Sequence, residues 1–131
     1  MAKRVLTFGT FDGFHPGHRA YLEQAERLGE LWVVIARDST VRQVKAYAPI
    51  HSETERKEAV EREFPAAHVL LGDPEDFLAP IRDVQPDLIA LGYDQKLPPG
   101  IRAEDIPCST VRLEGYETGR YKSSLLRGSA P

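Results

Sequence analysis

At 131 residues, 41% hydrophobic and 28% charged, the chain is sized for one globular domain with a continuous core, and two domains would be cramped. A formal net charge of -3 excludes a general attraction to nucleic acid or anionic lipid, so any phosphate chemistry must rest on locally placed cations. The single cysteine, Cys108, excludes an internal disulfide framework and a thiolate zinc site and fits a reducing compartment, so the cytoplasm is the expected location.

From the amino end, Met1 to Arg4 leads into a short apolar run that Gly9 and Asp12 interrupt, a pattern with neither a secretory h-region nor a membrane span. Val5 to Phe8 reads as a strand stopped by Gly9, and a helical pattern runs from about Pro16 to Leu28 with Gly29 placed as its C-cap. Leu31 to Ala36 is almost wholly apolar, as in a strand buried on both faces of a parallel sheet. A polar loop is expected from Asp38 to Ile50, after which Ser52 and Glu55 form a capping box for a helix reaching about Phe64. His68 to Leu71, Leu88 to Leu91 and Cys108 to Leu113 supply three further strands, with a helix near Glu75 to Val84 between the first two.

This alternation predicts the α/β class: a Rossmann-like three-layer sandwich around a parallel five-stranded sheet. Residues 1–127 are expected to form a single domain and 128–131 a loose tail. Sheets of this kind bind ligands at the carboxyl ends of their strands, where the strand order switches.

The densest chemical signal is Gly9-Thr10-Phe11-Asp12-Gly13-Phe14-His15-Pro16-Gly17-His18, at the carboxyl end of the first strand and the opening of the first helix. Gly9 admits a ligand without a Cβ obstacle, Pro16 suits a first helical turn, and the amides of a helix start favour an oxyanion. His15 and His18, three apart, can project into one pocket; a metal pair, with Asp12 as a further ligand, is the alternative. The phosphate reading accounts for the glycines and the helix start, and no bound metal is expected.

The segment resembles the GTFDxxHxGH signature of the cytidylyltransferase-like branch of the HIGH nucleotidyltransferases. Ile89-Ala90-Leu91-Gly92-Tyr93-Asp94-Gln95 and Arg37-Asp38-Ser39-Thr40-Val41 are similar to segments of archaeal-type FAD synthetases, which adenylylate FMN from ATP. Lys45-Ala46-Tyr47 and Arg112-Leu113-Glu114-Gly115 have counterparts in glycerol-3-phosphate cytidylyltransferases. The resemblance implies in-line attack of an acceptor phosphate on the α-phosphorus of a nucleoside triphosphate, with Mg²⁺ accompanying the triphosphate. It further implies catalytic roles for His15, His18 and Lys45, and nucleotide contacts from Gly9, Thr10, Phe11, Asp12, Gly17, Arg56, Gly92, Tyr93, Asp94, Gln95, Arg112, Ser123 and Ser124.

Relatives of this kind carry a Ser-Thr-Thr or Ser-Thr-Ser sequence before the final helix, whereas this chain has Lys122-Ser123-Ser124, and Arg120 stands as an alternative or assistant to Arg112. The expected partners are ATP and FMN, with CTP and glycerol 3-phosphate or another polyol phosphate as the enzymatic rival. A nucleotide-binding regulator without turnover is the reading from another class. Neither nucleic acid nor a membrane is an expected partner, while a homodimer is compatible with the resemblance.

Overall fold

The structure, a computed structural model, describes residues 3–45, 47–93, 95–97 and 101–115. The apolar runs become strands β1 (Arg4–Gly9), β2 (Glu30–Ile35), β3 (His68–Leu71), β4 (Leu88–Leu91) and β5 (Ser109–Arg112). They form one five-stranded sheet in the order β3-β2-β1-β4-β5, with every neighbouring pair parallel. Between them lie α1 (Pro16–Glu26), α2 (Asp38–Lys45), α3 (Glu53–Glu63), α4 (Ala79–Val84) and a short 3-10 turn at Ala103–Asp105.

The period of two in β1 and β2 separates two cores. Val5, Val33 and Ile35 pack with Leu22 and Ala25 of α1 and Val60 of α3, whereas Leu6, Phe8, Val34 and Ile89 pack with Ile81 and Val84 of α4. Because the sheet is covered on both faces, its central strands carry apolar residues without polar alternation, and this is the expected three-layer α/β sandwich. Leu6, 0% exposed, contributes on the order of 2 kcal/mol through burial alone. Among the described residues no helix is long and apolar enough to cross a membrane.

Several boundaries differ from the sequence expectation. The stretch expected as polar loop from Asp38 begins with α2, a helix of eight residues whose apolar side chains are only Val41 and Val44, an i,i+3 pair too short to stand out from a polar loop. Its opening bond runs from the Val41 amide to the Arg37 carbonyl, and Asp38 at the start with Arg42 and Lys45 at the end complement the helix dipole. The helix expected from Glu75 starts only at Ala79, because Asp73 takes the amides of Glu75 and Asp76 and holds a turn instead. Gly29 is not the cap of α1, which ends on Arg27; a Cβ at Gly29 would lie 2.4 Å from the Lys3 carbonyl, so close approach of backbone to β1 requires the glycine. Ser52 and Glu55 do form the capping box of α3.

Candidate active site

The chain leaves β1 toward β2 and β3 and returns to the opposite side of β1 at β4, so the strand order reverses between β1 and β4. That reversal opens a crevice at the carboxyl ends of the strands, where Gly9 and Gly92 follow one another's neighbours out of the sheet. A cavity of about 680 Å³ occupies this position, a size suited to a nucleotide-scale ligand. It is walled by the loop after β1, the start of α1, α2 and the loops after β3 and β4.

The loop after β1 is shaped by a folded-back aromatic ring. Phe11 adopts φ +54 in the left-handed region, unusual for a bulky residue, and is 2% exposed. Its ring lies over Gly9, where an added Cβ would stand 2.5 Å from Phe11 Cε2. The same ring meets His18 edge-on at 5.2 Å and stacks near Tyr21 at 6.3 Å. Phe11, expected as a nucleotide contact, is buried in the core yet also lines the cavity, and its ring braces His18. Gly13, at φ +63, completes the turn with open space around its Cα.

His15 and His18 cap the helix that carries them. His15 is the N-cap of α1, and its Nδ1 accepts the Gly17 amide at 3.1 Å, while the His15 amide donates to His18 Nδ1 at 3.2 Å. Each ring thus uses Nδ1 as an acceptor, which leaves Nε2 as the nitrogen free to donate. Their rings lie nearly parallel with centroids 3.6 Å apart, and both line the cavity. Burial, then the neighbouring His15 and Lys45 charges, push the His18 pKa down to about 4, against an opposing pull from Asp12. His18 is thus a neutral hydrogen-bond donor at physiological pH. The amides of the helix start offer less to an anion than its sequence suggests, since Pro16 has none and that of Gly17 is taken by His15.

Two residues of the expected nucleotide set act as braces. Asp12 accepts the Ile50 amide at 2.8 Å, the His51 amide at 3.0 Å and the His51 ring at 3.0 Å. Burial opposes its ionisation, but those donors outweigh it and hold the pKa below the ordinary value. Arg56, 1% exposed, donates through Nε to the His51 carbonyl, through Nη1 to the Thr10 carbonyl and through Nη2 to Asp38 at 2.7 Å. It does not reach the cavity wall; it ties the loop after β1 to the openings of α2 and α3. Lys45, at the last turn of α2, does line the cavity, as do Gly9, Thr10, Asp12 and Gly17.

At the loop after β4, Gln95 bridges strands: its Oε1 accepts the Gly92 amide at 2.9 Å and its Nε2 donates to the Phe8 carbonyl at 2.7 Å. Arg112 spends Nη1 on the carbonyls of Gly92 at 2.8 Å and Gln95 at 2.7 Å, so it fixes this loop from behind. Gly92, Tyr93 and Gln95 line the cavity. Asp94, Arg120, Ser123 and Ser124 lie outside the described residues.

Sequence reasoning did not single out Tyr21, whose buried hydroxyl donates to the Ala90 carbonyl at 2.6 Å and accepts the Phe8 amide at 3.3 Å, stitching β1 to β4 beneath the crevice. Burial drives its pKa upward, so it stays protonated. A tyrosine on the apolar face of α1 gives no sequence signal of that task. Arg37, whose sequence signal is only its place in a family-like segment, lines the cavity while bonding the Gly72 carbonyl at 2.6 Å and Glu53 at 3.1 Å.

Residues 6–112 match the family model described as cytidylyltransferase-like. The chain is 40% identical to a FAD synthase of Methanoregula boonei, over 95% of its own length and 87% of that protein's. It is 43% identical to a FAD synthase of Aciduliprofundum boonei, over 96% and 85% of the two lengths. Among solved structures, that of a lipopolysaccharide core biosynthesis protein from Thermoplasma volcanium superposes with a TM-score of 0.76 at 37% identity, covering 86% of this chain and 97% of that one. Pantothenate synthetase from Thermus thermophilus, with a TM-score of 0.54 at 16% identity over 86% of this chain and 56% of that one, shares the fold.

Proposed function

The chain belongs to the cytidylyltransferase-like family, and from that premise we propose that it is a FAD synthase, a nucleotidyltransferase moving AMP from ATP onto the phosphate of FMN. An FMN phosphate oxygen attacks the α-phosphorus in line, the bond from that phosphorus to the β-phosphate oxygen breaks, and FAD and pyrophosphate are formed. No covalent enzyme intermediate is required. The protein's task is alignment and stabilisation of the charge that builds on the equatorial oxygens.

One observation carries the assignment: the reciprocal cap of α1 fixes the rings of His15 and His18 side by side at the wall of the cavity, each with Nδ1 used as an acceptor and Nε2 left to donate. Simple phosphate binding does not need two imidazoles tied to one another; a transition state whose oxygens must be met by donors already in place does. Lys45 adds a mobile positive charge from α2, suited to the triphosphate or the acceptor phosphate. In this reading the loop Gly92 to Gln95 receives the nucleoside, and Arg112, Arg56 and Asp12 hold the loops in register without touching phosphate.

Among the described residues no three His, Cys, Asp or Glu side chains converge as a ligand set, and Asp12 is occupied by Ile50 and His51. Those residues do not fit a protein-held metal, so Mg²⁺ belongs to this proposal only as the counter-ion the triphosphate brings. The decisive test is product mass after incubation with ATP plus FMN and, separately, CTP plus glycerol 3-phosphate. FAD with pyrophosphate is expected from the first mixture. CDP-glycerol from the second alone would make the chain a cytidylyltransferase, and binding of either triphosphate without pyrophosphate release would make it a regulator.

A further inference from the structure

The cavity is larger and more apolar on one side than phosphate transfer requires. On the face of the sheet covered by α4, Phe8 of β1 stands in register with Val34 of β2, and both side chains line the cavity at the strands' carboxyl ends. Phe77 and Pro80, at the start of α4, extend the same apolar wall. Val44, near the end of α2, and Tyr47 just beyond it also line the cavity while 54% and 57% exposed. Large apolar side chains left open to solvent inside a polar reaction site are the mark of a surface that a ligand covers. His15 and His18 open α1, which packs on the other face of the sheet, so the apolar wall on the α4 face is distinct from the phosphate donors.

Resting on the FAD synthase reading, we propose that this wall is the acceptor subsite and that it takes the flat tricyclic ring of a flavin, with Val44 and Tyr47 closing over it as specificity determinants. The chemistry discriminates between acceptors. A polyol phosphate would set hydroxyl groups against Phe8, Val34, Phe77 and Pro80, where none of those side chains can accept or donate a hydrogen bond. A fused aromatic ring loses little there, covers the exposed apolar area and can stack on the Tyr47 ring. The ribityl chain then runs from the wall toward Lys45 and the imidazoles, bringing the terminal phosphate to the reacting phosphorus.

The test uses the full chain with Val44→Ser and Tyr47→Ser combined, both at positions already solvated, and Leu28→Ser as a control on an exposed apolar residue that does not line the cavity. The double variant should raise KM for FMN by about tenfold or more, with kcat at saturating FMN and KM for ATP within about twofold. Tyr47→Phe, which keeps the ring, should retain the wild-type KM. Riboflavin, which has the ring and chain without phosphate, should compete with FMN and lose fluorescence on binding. Wild-type FAD synthesis together with an unchanged KM for FMN in the double variant overturns the subsite and leaves the adenylyl-transfer reading standing. Riboflavin binding that the double variant abolishes, in a wild type that makes no FAD, supports the subsite and overturns the reading. Neither FAD formation nor riboflavin binding overturns both.

Discussion

His18 is kept neutral by geometry and burial together, which gives it both a kinetic and a thermodynamic signature. Replacing it with alanine removes one donor to the transition state, so kcat should fall by roughly a hundredfold or more with KM for ATP little changed, as steady-state kinetics would show. Its folded-state pKa of about 4 lies below the ordinary 6.5, so the unfolded chain binds the proton more readily. The His18 contribution to stability is therefore complete above pH 6.5 and is lost as pH falls from there toward 4, by about 2 kcal/mol once its partial exposure is considered. Urea unfolding at pH 7 and pH 4.5 should show a smaller pH-dependent loss in His18→Ala than in the wild type. A second residue-scale test is Gly9→Ala, whose new methyl meets the Phe11 ring at 2.5 Å. It should cost about 1–3 kcal/mol in denaturant unfolding and lower kcat through the displaced contact between Phe11 and His18. The ten-residue motif was legible because its chemistry is written in consecutive residues. The inward fold of Phe11 was not, because it depends on a left-handed backbone that no side-chain pattern announces.

At the scale of elements, the loops of the site are held by polar side-chain links in addition to the inward-folded Phe11 ring. Arg56 joins Thr10, His51 and Asp38, and its removal leaves a carboxylate and two carbonyls without their shared donor. Arg56→Ala should lower stability by about 3–5 kcal/mol, and Arg56→Lys should recover little, because one ammonium cannot span three acceptors in a plane. Thermal unfolding decides this; a variant within about 1 kcal/mol of the wild type would show the brace to be dispensable. Asp12→Asn should loosen the entry to α3, speeding amide exchange at Ile50 and His51 by roughly tenfold. The sequence shows Arg56 in a run of charges that reads as a solvated helix face; only the approach of β1 and α2 from elsewhere in the chain turns it inward. Another reason hides α2, since Val41 and Val44 are its only apolar residues and two turns give too short a pattern, whereas the Ser52 and Glu55 cap is a local signal and was legible.

For the whole molecule, the alternation of apolar runs with amphipathic segments was enough to foresee a parallel sheet between helical layers. The strand order was not foreseeable from local pattern, since it depends on which edge of β1 the chain returns to after β3. That return creates the crevice, so ligand occupancy and global stability are linked. ATP at about a hundred times its Kd should add about 2.7 kcal/mol and raise Tm by roughly 10 °C, and CTP at equal concentration should raise it less. Equal shifts from the two triphosphates would mean that the nucleobase is not read.

The central position of β1 also bears on how the chain is made. During synthesis β1 emerges before its partners in the sheet; one flank is filled by β2 soon afterwards, but its other flank waits for Leu88 and Ile89. A nascent chain halted after β3 therefore presents an unpaired hydrogen-bonding edge beside a half-built hydrophobic face, which invites association with other chains. Truncations ending before β4 should aggregate, and translation through that interval is where a holdase chaperone would most improve yield.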